Sequence, residues 1–458
     1  MRVLLTGGTG LLGRQLALAL VREGHQVRVL CRNTARARHL LPLGLDYVEW
    51  KGAAEGAPPP ARAYDGIDGV INLMGEPIFK GPWSRSKMAK VENSRVLGSK
   101  FLIEGLGQRP LKFFLQASAS GIYPFSPDPQ SEGSALGEHY LAQLCQKWEA
   151  TTSGLKQVTP TLLRLGVVLH QDAQIIEQTK LATHFRLSPL INSGEQSFSW
   201  IHCEDAVAAI LHCIRHLVTG AVNLASPDPC SMKSFNSEIA KAMGLKALRI
   251  PMPAGILRQI MGPPTDVISH NQVMAPRVLH ETGFSFKFPG LVEALRDCLG
   301  IFKDPVSGKE QCCFILERFQ MVTAPIDKVW PFFANPANLE AITPSSLKFK
   351  ILTPETDTHL GQIIEYRLRL NGFPMGWRSK ILELVEGKYF VDYQLKGPYE
   401  VWHHLHTFEP MKDGTLLTDK VYYKLPFGAL GLVALPFVRR DLNKIFGHRV
   451  KMIDREFT

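Results

Sequence analysis

The stretch Thr6-Gly7-Gly8-Thr9-Gly10-Leu11-Leu12-Gly13, directly behind the apolar run Val3-Leu4-Leu5, decides how this chain reads. It has the pattern of a β-strand turning into a helix whose first turn is nearly stripped of side chains. Glycine accepts a positive φ and so permits the tight turn. A bare helix start also lets a pyrophosphate approach free N–H groups and the positive end of the helix dipole. The spacing Gly7-x-x-Gly10-x-x-Gly13 is longer in its first gap than the usual dinucleotide fingerprint. Its surroundings supply what spacing alone lacks: a strand before it, an apolar helix after it (Leu16, Ala19, Leu20), then a second strand over Gln26–Cys31. The loop residues Gly7, Thr9, Gly10, Leu11, Leu12 and Gly13 are therefore expected to hold a dinucleotide.

The end of the second strand selects between dinucleotides. An NAD site places Asp or Glu about twenty residues past the glycines, where it holds the ribose 2′-hydroxyl. Here Val29-Leu30-Cys31-Arg32-Asn33, followed by Arg36 and Arg38, offers no carboxylate. A guanidinium can fork onto a 2′-phosphate. The expected cofactor is NADP (as NADPH), with Arg32 as its phosphate ligand.

At 458 residues the chain is too long for one core, so two or three domains are expected. Its 45% hydrophobic and 21% charged content is that of an ordinary soluble globular protein. Eight cysteines are scattered with no CxxC pair, which argues against zinc or a disulfide framework and for a reducing, cytoplasmic compartment. The first strand begins within two residues of Met1, leaving no room for a signal peptide. The longest apolar run, Phe427 to Val438, contains Pro436 and is too short to span a bilayer, so no transmembrane segment is expected. The net charge of +10 lies mostly in the first 309 residues, as a phosphate site would require. No basic run is interleaved with aromatics, so no nucleic-acid partner is expected.

Short apolar runs alternate with helical patterns up to about residue 165, the signature of βαβ units. Val70–Leu73, Phe113–Gln116 and Leu162–Leu169 read as further strands, and Lys51–Ala63 as a loop. Beyond Phe314 the texture changes. A helix over Ile326–Ala334 precedes two-residue alternation through Glu365–Leu370, Lys380–Val385, Phe390–Leu395, Val401–Phe408 and Leu416–Leu425, and a closing helix covers roughly Leu430–Arg455. A helix gripped by an antiparallel sheet encloses either an apolar cavity or an ordinary core.

Several segments in this order resemble the extended short-chain dehydrogenase/reductase superfamily, and more closely its atypical nucleoside-diphosphate-sugar-epimerase-like branch of unknown substrate. They are Thr6–Gly13, Asn72–Ile78, Ser94-Arg95-Val96, Ser118–Tyr123, Trp200–Asp205, Asn223-Leu224, Pro276–Leu279 and Gly283–Phe286. The resemblance extends the cofactor site to Leu73, Met74 and Gly75. The remainder resembles the START-like, helix-grip ligand-binding superfamily through Gly397-Pro398-Tyr399, Trp402–Phe408, Gly414-Thr415 and Leu425–Gly428. It implies an apolar ligand in that domain without identifying it. The expected architecture is an α/β Rossmann doubly wound parallel sheet with a small capping lobe, followed by an α+β helix-grip domain. Its boundaries are an NADP-binding domain over 1–300, of which about 170–300 form the substrate lobe, a linker over 301–312, and a ligand-binding domain over 313–458.

Superfamily enzymes use a Ser or Thr with Tyr-x-x-x-Lys, whose i, i+4 spacing sets an ammonium beside the phenol and lowers its pKa. This chain departs from that pattern. Tyr140 is followed at i+4 by Leu144, and the register through Trp148-Glu149 gives Leu141 and Cys145. Lys147 lies too far along the helix for direct activation, so a spatially adjacent lysine such as Lys87 or Lys100 would have to fill the gap. Catalytic candidates are Ser118 and Ser120 at a strand's carboxyl edge, Tyr123 on the following loop, and Tyr140. Tyr123 reads equally as a substrate-lining or a packing residue. Arg95 stands where relatives carry Asn, and either binds an anionic substrate group or pairs with a carboxylate. His404 and His406 share a strand face, but no acidic or thiol partner is evident, so no metal is expected. The basic amphipathic stretch Arg439–Phe446 reads as a solvated outer helix face rather than a membrane contact. Two functions follow: an NADP-dependent oxidoreductase or epimerase acting on a small molecule, or a non-catalytic NADP-binding sensor with a carrier domain. The oligomeric state is open.

Overall fold

The computed structural model describes residues 1–81, 83–353, 358–370 and 372–457. The chain divides into two compact units, one of residues 1–40 and 45–298, the other of 41–44 and 299–458.

The first unit is built on seven strands: β1 (Arg2–Thr6), β2 (Gln26–Cys31), β3 (Asp46–Glu49), β4 (Gly69–Asn72), β5 (Phe113–Ala119), β6 (Thr161–Leu165) and β7 (Gly220–Leu224). They lie in the order β7-β6-β5-β4-β1-β2-β3, every pair parallel. Helices cover a parallel sheet on both faces, so its strands are apolar nearly throughout. Val3, Leu4 and Leu5 are accordingly sealed from solvent, as are Leu16 and Leu20 of α1 (Leu11–Arg22), which packs above them. The strand order reverses between β1 and β4. In register Thr6 stands beside both Leu30 and Asn72, so three carboxyl ends meet at the switch point where such sheets bind ligands.

The single buried strand read over Leu162–Leu169 is in fact two. A Cβ at Gly166 would lie 2.9 Å from the Ser199 carbonyl, and the chain leaves the main sheet there. Val167–Leu169 pairs instead with Trp200–His202. Two further helices matter for the site, α2 (Arg85–Leu106) and α3 (Tyr140–Ala150). Between residues 170 and 298, apart from β7, only small sheets form, among them Leu187–Ile191 with Leu248–Met252.

The second unit opens with a hairpin, Ile301–Lys303 against Glu310–Cys312, where a linker was read. Asp304 closes its turn by accepting from the Val306 N–H at 3.1 Å and the Ser307 hydroxyl at 2.5 Å. Then follow β8 (Phe314–Val322), α4 (Ile326–Ala334), β9 (Lys350–Ile351), β10 (Ile363–Leu370), β11 (Phe373–Val385), β12 (Tyr389–Lys396), β13 (Val401–Met411), β14 (Gly414–Lys424) and α5 (Leu435–Glu456). The sheet order is β8-β14-β13-β12-β11-β10-β9, antiparallel throughout. Alternation sends Trp402, His404, His406 and Phe408 of β13 to one buried face. Against it α5 presents Leu442, Phe446, Arg449 and Ile453, a stripe at helical spacing.

Candidate functional site

The glycine loop shows why each small residue is needed. Gly7 has φ +68°, and a Cβ on it would lie 2.5 Å from the Leu73 carbonyl as the chain leaves β4. A Cβ on Gly13 would stand 2.2 Å from the Gly7 carbonyl. Gly10 differs. It is the N-cap of α1 in an extended conformation, exposed, and a Cβ there would meet only the Gly7 carbonyl, at 3.2 Å. The turn closes through Gly10 N–H donating to Gly7 O at 2.9 Å. The N–H groups of Leu11, Leu12 and Gly13 precede the first intrahelical bond, from Arg14 to Gly10, and face outward as anion donors. This donor set fits a pyrophosphate.

Arg32, at the end of β2, is exposed and has no ion pair among the described residues. Its neighbours are engaged elsewhere. Asn33 accepts from the Arg36 N–H at 2.7 Å, and Arg38 lies 5.1 Å over the Tyr47 ring. Glu76, on which Arg32 acts electrostatically, is held low chiefly by its hydrogen bond from Lys87 at 2.9 Å.

Beneath the loop lies a buried polar network that sequence reasoning missed. Thr6 Oγ1 donates to Asn72 Oδ1 at 2.5 Å, while Asn72 Nδ2 donates to Ser99 Oγ and Gln116 Oε1, each at 2.9 Å. Trp148 Nε1 also donates to Ser99 Oγ, at 3.1 Å. The network ties the carboxyl ends of β1, β4 and β5 to α2 and α3. Gly98 of α2 leaves room for Met74, whose Cε would sit 2.7 Å from a Cβ there. The available signal was a side-chain amide in each largely apolar strand, Asn72 and Gln116.

The structure divides the catalytic candidates into two groups. Tyr123 is buried, donating from its hydroxyl to Asn223 Oδ1 at 2.7 Å and accepting from Arg164 Nη1 at 2.8 Å. Arg164 in turn forks onto Glu149 at 3.0 and 2.9 Å. Burial pushes the Tyr123 phenol up, with Arg164 only partly opposing it. Tyr123 thus fastens β5, β6 and β7 together at the sheet edge. Tyr140 begins α3 with its ring edge-on to Trp83 at 6.0 Å, and burial pushes its phenol up as well. Lys147 pairs with Glu92 at 3.0 Å and Lys87 with Glu76. Among the described residues no ammonium is hydrogen-bonded to either phenol.

The other candidates are the two serines and Arg95, and Arg95 acts on the Cys145 thiol. Ser118 is buried, and its hydroxyl has no partner among the described residues; Ser120 follows on a partly exposed turn. The Cys145 thiol is pushed up to about 12 by burial, against the opposing influence of Arg95 and the backbone of Ala119. Arg95 crosses from α2 to this point. Its Nη1 donates to the carbonyls of Glu76 at 3.0 Å and Val91 at 3.2 Å, and its guanidinium lies 5.1 Å over the Trp148 ring. No carboxylate lies in ion-pair reach of it among the described residues; burial lowers its pKa, and the Cys145 thiol and the Glu76 charge oppose that. A guanidinium whose only nearby carboxylate, Glu76, acts on it from beyond ion-pair distance therefore stands beside Gly75, where a Cβ would lie 3.1 Å from its carbon. It occupies the neighbourhood that the missing lysine would share.

In the second unit the histidines do find an acidic partner. Asp419 of β14 lies opposite His406 in register, 2.7 Å from its Nδ1 and 3.1 Å from His404 Nε2. Burial drives the His406 imidazole down to about 3, so it is neutral. Burial raises the Asp419 carboxyl, but Arg449 and the two histidine bonds outweigh it and hold it well below the usual range. Arg449 Nη2 stands 3.7 Å from Asp419 and 3.4 Å from His406 Nδ1. A guanidinium already balances this carboxylate, so the donor set suits an ion-pair network better than a metal ion.

Comparison with known proteins gives three family matches: the NAD dependent epimerase/dehydratase family over residues 3–225, a domain of unknown function (DUF1731) over 252–298, and polyketide cyclase / dehydrase and lipid transport over 322–446. The epimerase family protein YfhF of Bacillus subtilis is 32% identical over 303 residues, which are 64% of this chain and 97% of that one. The chloroplastic epimerase family protein SDR39U1 homolog of Arabidopsis thaliana is 28% identical over 310 residues, 65% of this chain and 86% of its own. The human epimerase family protein SDR39U1 (isoform 2), solved with NADPH, superposes with a TM-score of 0.57 at 26% identity, covering 65% of this chain and 99% of that one.

Proposed function

The chain belongs to the epimerase family and carries a second domain of the polyketide cyclase and lipid-transport type, and from that premise we propose that it is an NADP-dependent oxidoreductase or epimerase whose small-molecule substrate bears an anionic group held by Arg95. A nicotinamide dinucleotide bound at the switch point would accept or supply a hydride. Support for NADP comes from Arg32, free and exposed at the end of β2, and from the human relative solved with NADPH. In this reading Gly7, Thr9, Gly10, Leu11, Leu12 and Gly13 cradle the pyrophosphate, and Leu73, Met74 and Gly75 line the cofactor's other side. Ser118 donates its unpaired hydroxyl to a substrate oxygen, while Ser120 and Tyr140 border the substrate space. Tyr123 acts by positioning the sheet edge. The eight cysteines, none of them in a disulfide, support a reducing cytoplasmic setting. The second domain's interior would take an apolar ligand.

The observation that carries the reading is the half-buried guanidinium of Arg95 beside Gly75, with no carboxylate in ion-pair reach among the described residues. A partly desolvated charge without a directly bonded counter-ion is costly, and a substrate anion would offset that cost. The test is oxidation of NADPH, followed by its absorbance, across carbonyl compounds bearing carboxylate or phosphate. Arg95→Leu is expected to lower kcat/KM by about 100-fold, as loss of a charged contact of about 3 kcal/mol does, while NADPH affinity is unchanged. The missing phenol–ammonium pair favours a second reading, a non-catalytic sensor. Tight NADPH binding with no turnover anywhere in the panel would select it.

A further inference from the structure

Between Asp419 and Asp441 the chain carries no acidic residue and four basic ones, Lys420, Lys424, Arg439 and Arg440. Within this span the connection from β14 to α5 turns its large apolar side chains outward. Phe427 is 83% exposed, Leu430 80%, Val433 71% and Phe437 57%. The segment is anchored, because Leu432 and Leu435 between them are buried. Its shape is also specified. Phe427 adopts φ +66° and Gly428 φ +55°, and a Cβ on Gly431 would lie 2.0 Å from the Pro426 carbonyl. A left-handed conformation is unfavourable for phenylalanine and persists only where surrounding structure enforces it. Here it holds an aromatic ring in water.

The face that Phe437 begins on α5 continues, at helical spacing, with the exposed Arg440 and Lys444. The Arg440 guanidinium lies 5.7 Å over the Phe437 ring and 3.5 Å from Asp441, the nearest carboxylate. Lys424 is paired with Glu400 at 2.6 Å, and Arg439 lies 5.4 Å over Phe314. Single exposed apolar residues are ordinary on a protein surface, whereas four large ones in succession mark an interaction site. Their cationic continuation identifies the partner. A second copy of this chain would bring Arg440 and Lys444 no matching acidic patch from the same ridge. An anionic bilayer supplies both an apolar phase and negative head groups.

We propose that this ridge seats the chain on an anionic lipid surface: Phe427, Leu430, Val433 and Phe437 enter the acyl boundary while Arg440 and Lys444 meet the head groups. The contact is peripheral, for no helix among the described residues is long and apolar enough to cross a membrane. It is independent of the dinucleotide chemistry. It also reverses the sequence reading of Arg439–Phe446 as merely solvated, because the apolar partners of that basic stretch lie just upstream of it.

The test is sedimentation of the full chain with vesicles of phosphatidylcholine alone and of equimolar phosphatidylcholine and phosphatidylserine. The chain should bind the anionic vesicles at least about 10-fold more tightly, given two cations at the surface. Phe427→Ser combined with Phe437→Ser should weaken that binding by about 100-fold, the expected loss for two buried aromatic side chains. Arg440→Glu with Lys444→Glu should abolish the preference for phosphatidylserine. Both variants should keep the circular dichroism and NADPH affinity of the parent. The proposal is overturned if the parent ignores both vesicle types, or if the serine variant binds them equally well. It is also overturned if the serine substitutions convert a dimer to a monomer in a chain that does not bind vesicles.

Discussion

Replacing Gly10 by valine is expected to abolish dinucleotide binding in a protein that still folds. The site is the N-cap of α1, its extended backbone is open to any residue, and a Cβ would press only on the Gly7 carbonyl at 3.2 Å. Folding should lose no more than about 1 kcal/mol, the scale of a changed cap. The isopropyl group, however, fills the space in which a phosphate meets the N–H groups of Leu11 to Gly13. Affinity for NADPH should fall by at least about 100-fold, or about 3 kcal/mol. Gly13→Val makes the contrast. Its Cβ would stand 2.2 Å from the Gly7 carbonyl and 2.8 Å from Gly8 Cα, backbone atoms that cannot swing aside. That variant should lose about 3 kcal/mol of stability or more through overpacking. Urea denaturation and fluorescence titration of both variants separate the two effects. A Gly10→Val protein that retains affinity would remove the pyrophosphate from this loop.

The largest loss of stability is expected at Arg164. Its fork onto Glu149 is almost sealed from solvent, and the same guanidinium donates to Tyr123, which donates to Asn223. Arg164→Met would leave the Glu149 carboxylate buried without a counter-ion and Tyr123 with one bond fewer. Breaking a buried pair from one side costs about 3–5 kcal/mol. Adding Glu149→Leu removes the stranded charge, and the double variant should recover most of that loss. The midpoints of urea unfolding read the cycle. A cost below about 1 kcal/mol for Arg164→Met would mean water or a shifted side chain already relieves the pair.

What the sequence made legible was local. The turn Thr6–Gly13 and the strand Gln26–Cys31 depend on glycine spacing and on apolar runs a few residues long, and both lie where they were read. Two-residue alternation likewise located the inner face of β10, β12, β13 and β14. Long-range pairings were hidden. Asp419 reaches His406 only through the register of neighbouring strands, and Asn223 meets Tyr123 from a hundred residues away. Arg95 joins Cys145 and Trp148 because α2 and α3 pack together, which no spacing rule encodes. Strand β8 escaped notice because most of its residues are only partly buried, which weakens the alternation. The break at Gly166 depends on one carbonyl, that of Ser199. An apolar run cannot reveal it.

The central claim is that this loop and Arg32 together bind NADP, and the most direct measurement is a fluorescence titration of the full chain with NADPH and with NADH. Binding of NADPH at least about 10-fold tighter than NADH is predicted, with Arg32→Ala removing the difference by weakening NADPH alone, as the loss of one guanidinium–phosphate contact should. Equal affinities unaffected by Arg32→Ala would contradict the phosphate assignment, and binding of neither would contradict the site itself.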